Sequence, residues 1–279
     1  MPLRLISVVG REKTMDTDKY LKDVISRLEA LYHKMYQYTQ PPVFVRDDVY
    51  PRFRHEILSD SLACYLKGVK IISTLNAALV LLKEGYTQEI GALCRMIDDY
   101  CNEIFFLLAP QDGEKLSADQ IRFLEDFFQE ELDRPDYPLA STQKRSNVPT
   151  RKIHSTFAKL SKNEANPSDA QEILRTIHQA FSGYVHGGYP HIMEMYGGNP
   201  PRFHMSGMLG TPRISEWRNQ LKGYIYRTIM VSILVARKLG SSELEAAIKV
   251  LMKEFEQKIG CAPTKKAAEM IQDIKKKKT

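Results

Sequence analysis

The sequence predicts an all-α fold, an antiparallel helical bundle, on three observations. Apolar residues recur at i, i+3, i+4 spacing along most of the 279 residues, prolines and glycines fall between those stretches, and the intervening loops are mostly short. The first helix is expected from Asp16 or Thr17 to about Tyr38, with Leu21, Val24, Ile25 and Leu28 on one side, and Pro41 and Pro42 beyond its end. A second is expected from near Pro51 to Gly85, and a third from about Thr87 to Leu108, before Pro110. Ser117 and Gln120 have capping-box spacing at the head of a fourth, expected to reach about Leu132.

Residues 133–150 hold three prolines and few apolar side chains, which predicts a loop or mobile linker. Helices resume at about Arg151–Ser161 and, behind Ser168 and Asp169, run to about Val185. Residues 187–212 break the helical pattern with glycines and prolines. There GGNPP separates HIMEMY from RFHMSG, which could form the arms of a small β-hairpin. Long loops of this kind are usually functional or disordered. Helical periodicity returns from Ile214 to Leu239 and, after Ser241, continues to Ile259 with Gly260 as its stop. One helical domain over 1–262 with a basic tail over 263–279 is the expected organisation.

Composition excludes several function classes. The longest apolar runs, Ala77–Leu82 and Ile104–Ala109, fall far short of the roughly 20 residues of a membrane span, so no membrane is expected as a partner. The N-terminus lacks the pattern of a secretory signal, and a cytoplasmic location is expected. Cys64, Cys94, Cys101 and Cys261 have no CxxC pairing and read as buried free thiols, with no metal site expected. Phosphate-loop, GxGxxG, HExxH, paired ExxH and GxSxG patterns are all absent from the sequence, and no cofactor is expected. A net charge of +6 permits an anionic partner without demanding one.

The candidate chemistry lies around the helix Gln171–His186. At about 100° per residue, Ile173, Leu174, Ile177, Phe181, Tyr184 and Val185 make an apolar arc, while Arg175, His178, Ser182 and His186 share the opposite strip. A histidine that moves protons near neutral pH beside a fixed cation is what metal-free RNA cleavage requires. The same strip would equally serve as the wet face of an amphipathic helix. On the third helix Arg95, Asp98, Asp99 and Asn102 lie along one side, and Arg95 with Asp99 at i, i+4 is either a surface ion pair or a cation turned inward toward His186. Tyr189, His191, Tyr196, Arg202, Phe203 and His204 interleave aromatic and basic groups after His186, a mixture suited to single-stranded RNA.

The segments CRMIDDYCNEIFFLL and AFSGYVHGGYPH resemble bacterial helical proteins related to the HEPN superfamily, over about Val69 to Val235. The resemblance implies a HEPN-like bundle, a homodimer, RNA or nucleotide as ligand, and metal-independent endoribonuclease activity in toxin or antiphage defence. His186 would then be the catalytic histidine. HEPN ribonucleases carry an arginine five to seven positions before that histidine, whereas this chain has Gln179, Ala180 and Phe181 there and Arg175 eleven positions before. The expected site is therefore His186, Arg175 and Ser182 for catalysis, with Arg95, Asp99, His178, Tyr189, His191, Arg202 and His204 for binding. The alternative expectation is a non-catalytic helical module that regulates a protein partner.

Overall fold

The computed structural model describes residues 14–46, 51–109, 115–145, 147–160 and 167–260. Cys261 and the expected basic tail lie outside them. Helices dominate: α1 (Thr14–Met35), α2 (Asp60–Glu84), α3 (Thr87–Leu107), α4 (Ala118–Phe128), α5 (Thr150–Leu160), α6 (Pro167–Val185), α7 (Tyr189–Met193), α8 (Pro212–Lys238) and α9 (Ser242–Ile259). The expected caps at Ser117, Ser241, Gly85 and Gly260 act where the sequence puts them, and Ser59 adds one that it did not single out. Ser59, Ser117 and Ser241 each accept a backbone N–H at a helix start, Gln120 completes the capping box, and Gly85 and Gly260 end α2 and α9 in the left-handed region.

The second helix departs from expectation. It begins at Asp60, because two strands precede it, β1 (Val43–Val45) antiparallel to β2 (Arg52–Arg54), with Phe44 opposite Phe53. Pro51 opens a short alternating run, Arg-Phe-Arg, which pairs as a strand with Val-Phe-Val, the Phe44 and Phe53 rings meeting edge to face at 5.3 Å. Arg54 pairs with Glu130. α4 also stops early, at Phe128. The expected hairpin after His186 is present, with β3 (Tyr196–Gly197) against β4 (Arg202–Phe203).

The core is one cluster running from Leu21, Val24, Ile25 and Leu28 on α1 through α2, α3 and α8 to Ile248, Leu251 and Phe255 on α9. By length and composition α2 could cross a membrane, but half of its most apolar 18-residue window is buried inside the bundle. Cys64, Cys94 and Cys101 are buried free thiols. Burial pushes Cys64 and Cys101 up to about 12 and Cys94 well above its ordinary value, so all three stay protonated and inert.

Helix α3 is the hub, packed against α2, α5, α6 and α8. Its approach to α6 depends on Gly91, where an added Cβ would stand 2.5 Å from Tyr184 Cγ, an atom tied closely to the α6 backbone. Gly91→Ala must therefore push the two helices apart, and we expect a loss of about 1–3 kcal/mol in urea unfolding.

Candidate functional site

Arg95, expected either at the surface or facing His186, is turned inward with only 12% of its side chain exposed. Its guanidinium donates to His178 Nε2 on α6 and pairs with Asp99 one turn along α3. An arginine cannot accept, so His178 Nε2 must be unprotonated and its proton must sit on Nδ1. Burial lowers the His178 pKa from its ordinary value, and the Arg95 charge lowers it further.

A second imidazole completes the group. His154, on α5 and 4% exposed, stands with its ring 5.6 Å from that of His178. A carboxylate, a second arginine and an amide fix its orientation. Asp98 on α3 is buried between Arg227 and Tyr224 of α8, the tyrosine hydroxyl donating at 2.8 Å. Burial raises the Asp98 carboxyl above its ordinary value, against the pull of Arg227. Arg227 also donates to Asn102 Oδ1 at 2.7 Å, which turns the amide nitrogen toward His154 Nε2 at 3.4 Å. His154 Nε2 is thus an acceptor as well, and burial together with His178 lowers its pKa to about 4.

Beside this network opens a cleft of about 360 Å³, lined by Asp99, Asn102 and Glu103 of α3, Phe123 and Asp126 of α4, the 147–150 stretch, and Ile153 and His154 of α5. Asp99 joins the two, since it lines the cleft and holds Arg95. Behind the cleft the buried Lys67 ammonium donates to Glu103 at 2.6 Å, with the Phe127 ring 4.4 Å away. Among the described residues no group of three His, Cys, Asp or Glu side chains is arranged to hold a metal ion.

No family model matches the chain, and no curated protein or solved structure matches it.

The expected strip on α6 divides. Arg175 is exposed and pairs with Glu172 at 2.7 Å, His186 is exposed at the C-terminal end, and Ser182 is half-buried. Only His178 meets Arg95 and Asp99. His191 closes on α6 instead: its ring lies on Tyr184 at 4.2 Å, its Nε2 donates to the Ala180 carbonyl at 3.0 Å, and it fills the space beside Gly183. His204 donates to the Gly197 carbonyl at 3.2 Å and stiffens the hairpin that carries the exposed Arg202. Tyr189 is 76% exposed.

Sequence reasoning gave no role to His154, Asp98, Asn102, Tyr224 or Arg227. The available signal was Arg227, a charge set among Tyr224, Ile225, Thr228 and Val231 in an apolar helix, since a cation in such a position requires a buried partner. One consequence is measurable. His154 titrates at about 4 in the folded chain and near 6.5 when unfolded, so the unfolded chain takes up the proton first. The stability it contributes is complete above pH 6.5 and is lost as pH falls toward 4. Between pH 7 and 5 the free energy of urea unfolding should fall by an amount on the order of 1–2 kcal/mol, with a flatter pH dependence in His154→Gln.

Proposed function

We propose that this chain is a HEPN-like protein that binds RNA or a nucleotide and cleaves RNA without a metal ion, in toxin or antiphage defence. The observation that carries the reading is the inward Arg95 held against His178, with His154 beside it at the wall of a ligand-sized cleft. Phosphate competes with Asp99 and His178 for the Arg95 guanidinium. When Arg95 turns to the phosphate, His178 Nε2 is freed as a base for the 2′-hydroxyl proton. The 2′-oxygen then attacks phosphorus, and a protonated His154 gives its proton to the departing 5′-oxygen. Tyr189, Tyr196, Phe203 and Arg202, exposed beyond the end of α6, offer stacking faces and a cation to the flanking strand. A homodimer follows from the HEPN likeness.

A second reading, a non-catalytic interaction module, draws on one observation. The β1–β2 hairpin and the segment after it expose Phe44, Phe53, Ile57 and Leu58, each more than half accessible.

The deciding experiment is incubation of the purified chain with mixed RNA in excess chelator. Wild type should cut, Arg95→Ala and His178→Ala should lose at least about a hundredfold in rate, and His186→Ala should cut like wild type. Intact RNA with wild type, or equal cutting by His178→Ala, removes the nuclease reading. The pH profile gives a further check. One histidine must be neutral and the other protonated, and both pKa values are lowered, so the rate should peak on the acid side of 6.5 and above about 4.

A further inference from the structure

The charges around the cleft limit what can enter it. Arg95 is matched by Asp99, Arg227 by Asp98, and Lys67 by Glu103, so every cation of the network already has a carboxylate. Asp126 adds a further carboxylate to the wall, and its Oδ1 is buried with no hydrogen-bond partner. Such an oxygen is costly to leave unsatisfied and can only accept while ionised. A phosphate placed in the cleft would face Asp99, Glu103 and Asp126 together, which like-charge repulsion forbids without displacing them. A ligand that donates hydrogen bonds meets no such barrier.

The remaining lining narrows the class. Phe123, Val148, Pro149 and Ile153 give the cleft apolar walls, while Asn147 and Thr150 supply donors at its rim. At about 360 Å³ it falls at the small end of ligand pockets, the scale of a base or nucleoside rather than a folded strand. Among the RNA bases only guanine presents two adjacent donors on its Watson–Crick edge, the N1–H and the 2-amino group, beside an acceptor at O6. Adenine and cytosine place an acceptor next to their amino group, and uracil has a single donor between two acceptors. The two oxygens of one carboxylate can accept side by side from guanine's N1–H and 2-amino group, and the amide and hydroxyl of the lining remain to donate to O6. Adenine, cytosine and uracil would turn an acceptor of their own against the second oxygen.

We propose that the cleft reads a guanine base, with Asp126 accepting from its donor edge and the attached phosphate remaining outside. The assignment rests on the reading of the chain as an RNA- or nucleotide-binding protein and names the ligand of that site. Guanosine, inosine, adenosine, cytidine and uridine are titrated into the full chain by calorimetry in chelator. Guanosine should bind at least about tenfold tighter than adenosine, cytidine or uridine, and inosine, which lacks the 2-amino donor, should lose about tenfold. Asp126→Asn should abolish the preference for guanosine, whereas Asp119→Asn, which alters a carboxylate outside the cleft that pairs with Lys152, should keep it.

Equal affinity for the five nucleosides, no binding at all, or inosine equal to guanosine overturns the assignment, and the inosine comparison decides even if Asp126→Asn does not fold. The two readings fail separately. RNA cut without regard to base leaves the nuclease standing and removes guanine recognition. Guanosine selectivity without RNA binding or cleavage leaves the cleft assignment standing and removes the nuclease.

Discussion

The buried pairing of Asp98 with Arg227 is the constraint on which the rest of this molecule is arranged. Asp98 is 3% exposed while the Arg227 side chain keeps a quarter of its surface in water, so it is loss of the arginine that would strand a buried charge. Helix α8 must therefore keep its register against α3. Arg227 then has a second donor to place, and it goes to Asn102, whose amide is turned so that its nitrogen meets His154. A charge pair between α3 and α8 thus sets the tautomer of an imidazole on α5. Arg95 does the same for His178 on α6. Both imidazoles are held as acceptors at Nε2, His178 directly by Arg95 and His154 through the Asn102 amide whose oxygen Arg227 holds, since an arginine cannot exchange the donor role.

The helices were legible in the sequence because burial on one side imposes a 3.6-residue period, and Ser117, Ser241, Gly85 and Gly260 mark boundaries through local chemistry. Residues 43–54 were not, since three-residue strands are too short to show a period and Pro51 is as acceptable before a strand as at the start of a helix. The site was half legible. Arg95, Asp98, Asp99 and Asn102 were visibly on one side of α3, but a helix reveals its polar side without saying whether that side faces water or another helix. Here it faces α5, α6 and α8. His154 was hidden for a related reason: Thr150–Leu160 is a short basic helix, and only its packing on α3 makes one of its polar residues a buried one.

The glycine-rich stretch that drew attention in the sequence owes part of its composition to docking. Gly207 has a positive φ and lies so close to the Glu84 carbonyl that no side chain fits there, and Met208 N–H donates to the Gly85 carbonyl at 2.8 Å. The strap is thereby fastened over the α2–α3 turn, with Met208 buried against Thr87. His186 lies eight residues beyond His178, about 12 Å farther along the helix direction, and is exposed where His178 is partly buried. The single functional strip read from α6 is two separate surfaces, an inner one at His178 and an outer one at its C-terminal end.

That separation bears on how a polyanion could use this protein. The cations nearest the cleft are neutralised in place, so they add little long-range attraction and cannot recruit phosphate without giving up a carboxylate. Attraction has to come from unpaired groups at the surface, and Arg202 on the stiffened hairpin is exposed where a strand could reach it. Affinity and selectivity are then assigned to different places: exposed cations and aromatic rings hold the backbone and neighbouring bases, while the buried network admits only what can exchange hydrogen bonds with it. A ligand that fails to satisfy Asp126 and to loosen Arg95 from Asp99 would leave both histidines locked as acceptors. Chemistry at this site would depend on the ligand breaking an internal ion pair, which ties any turnover to correct occupancy of the cleft.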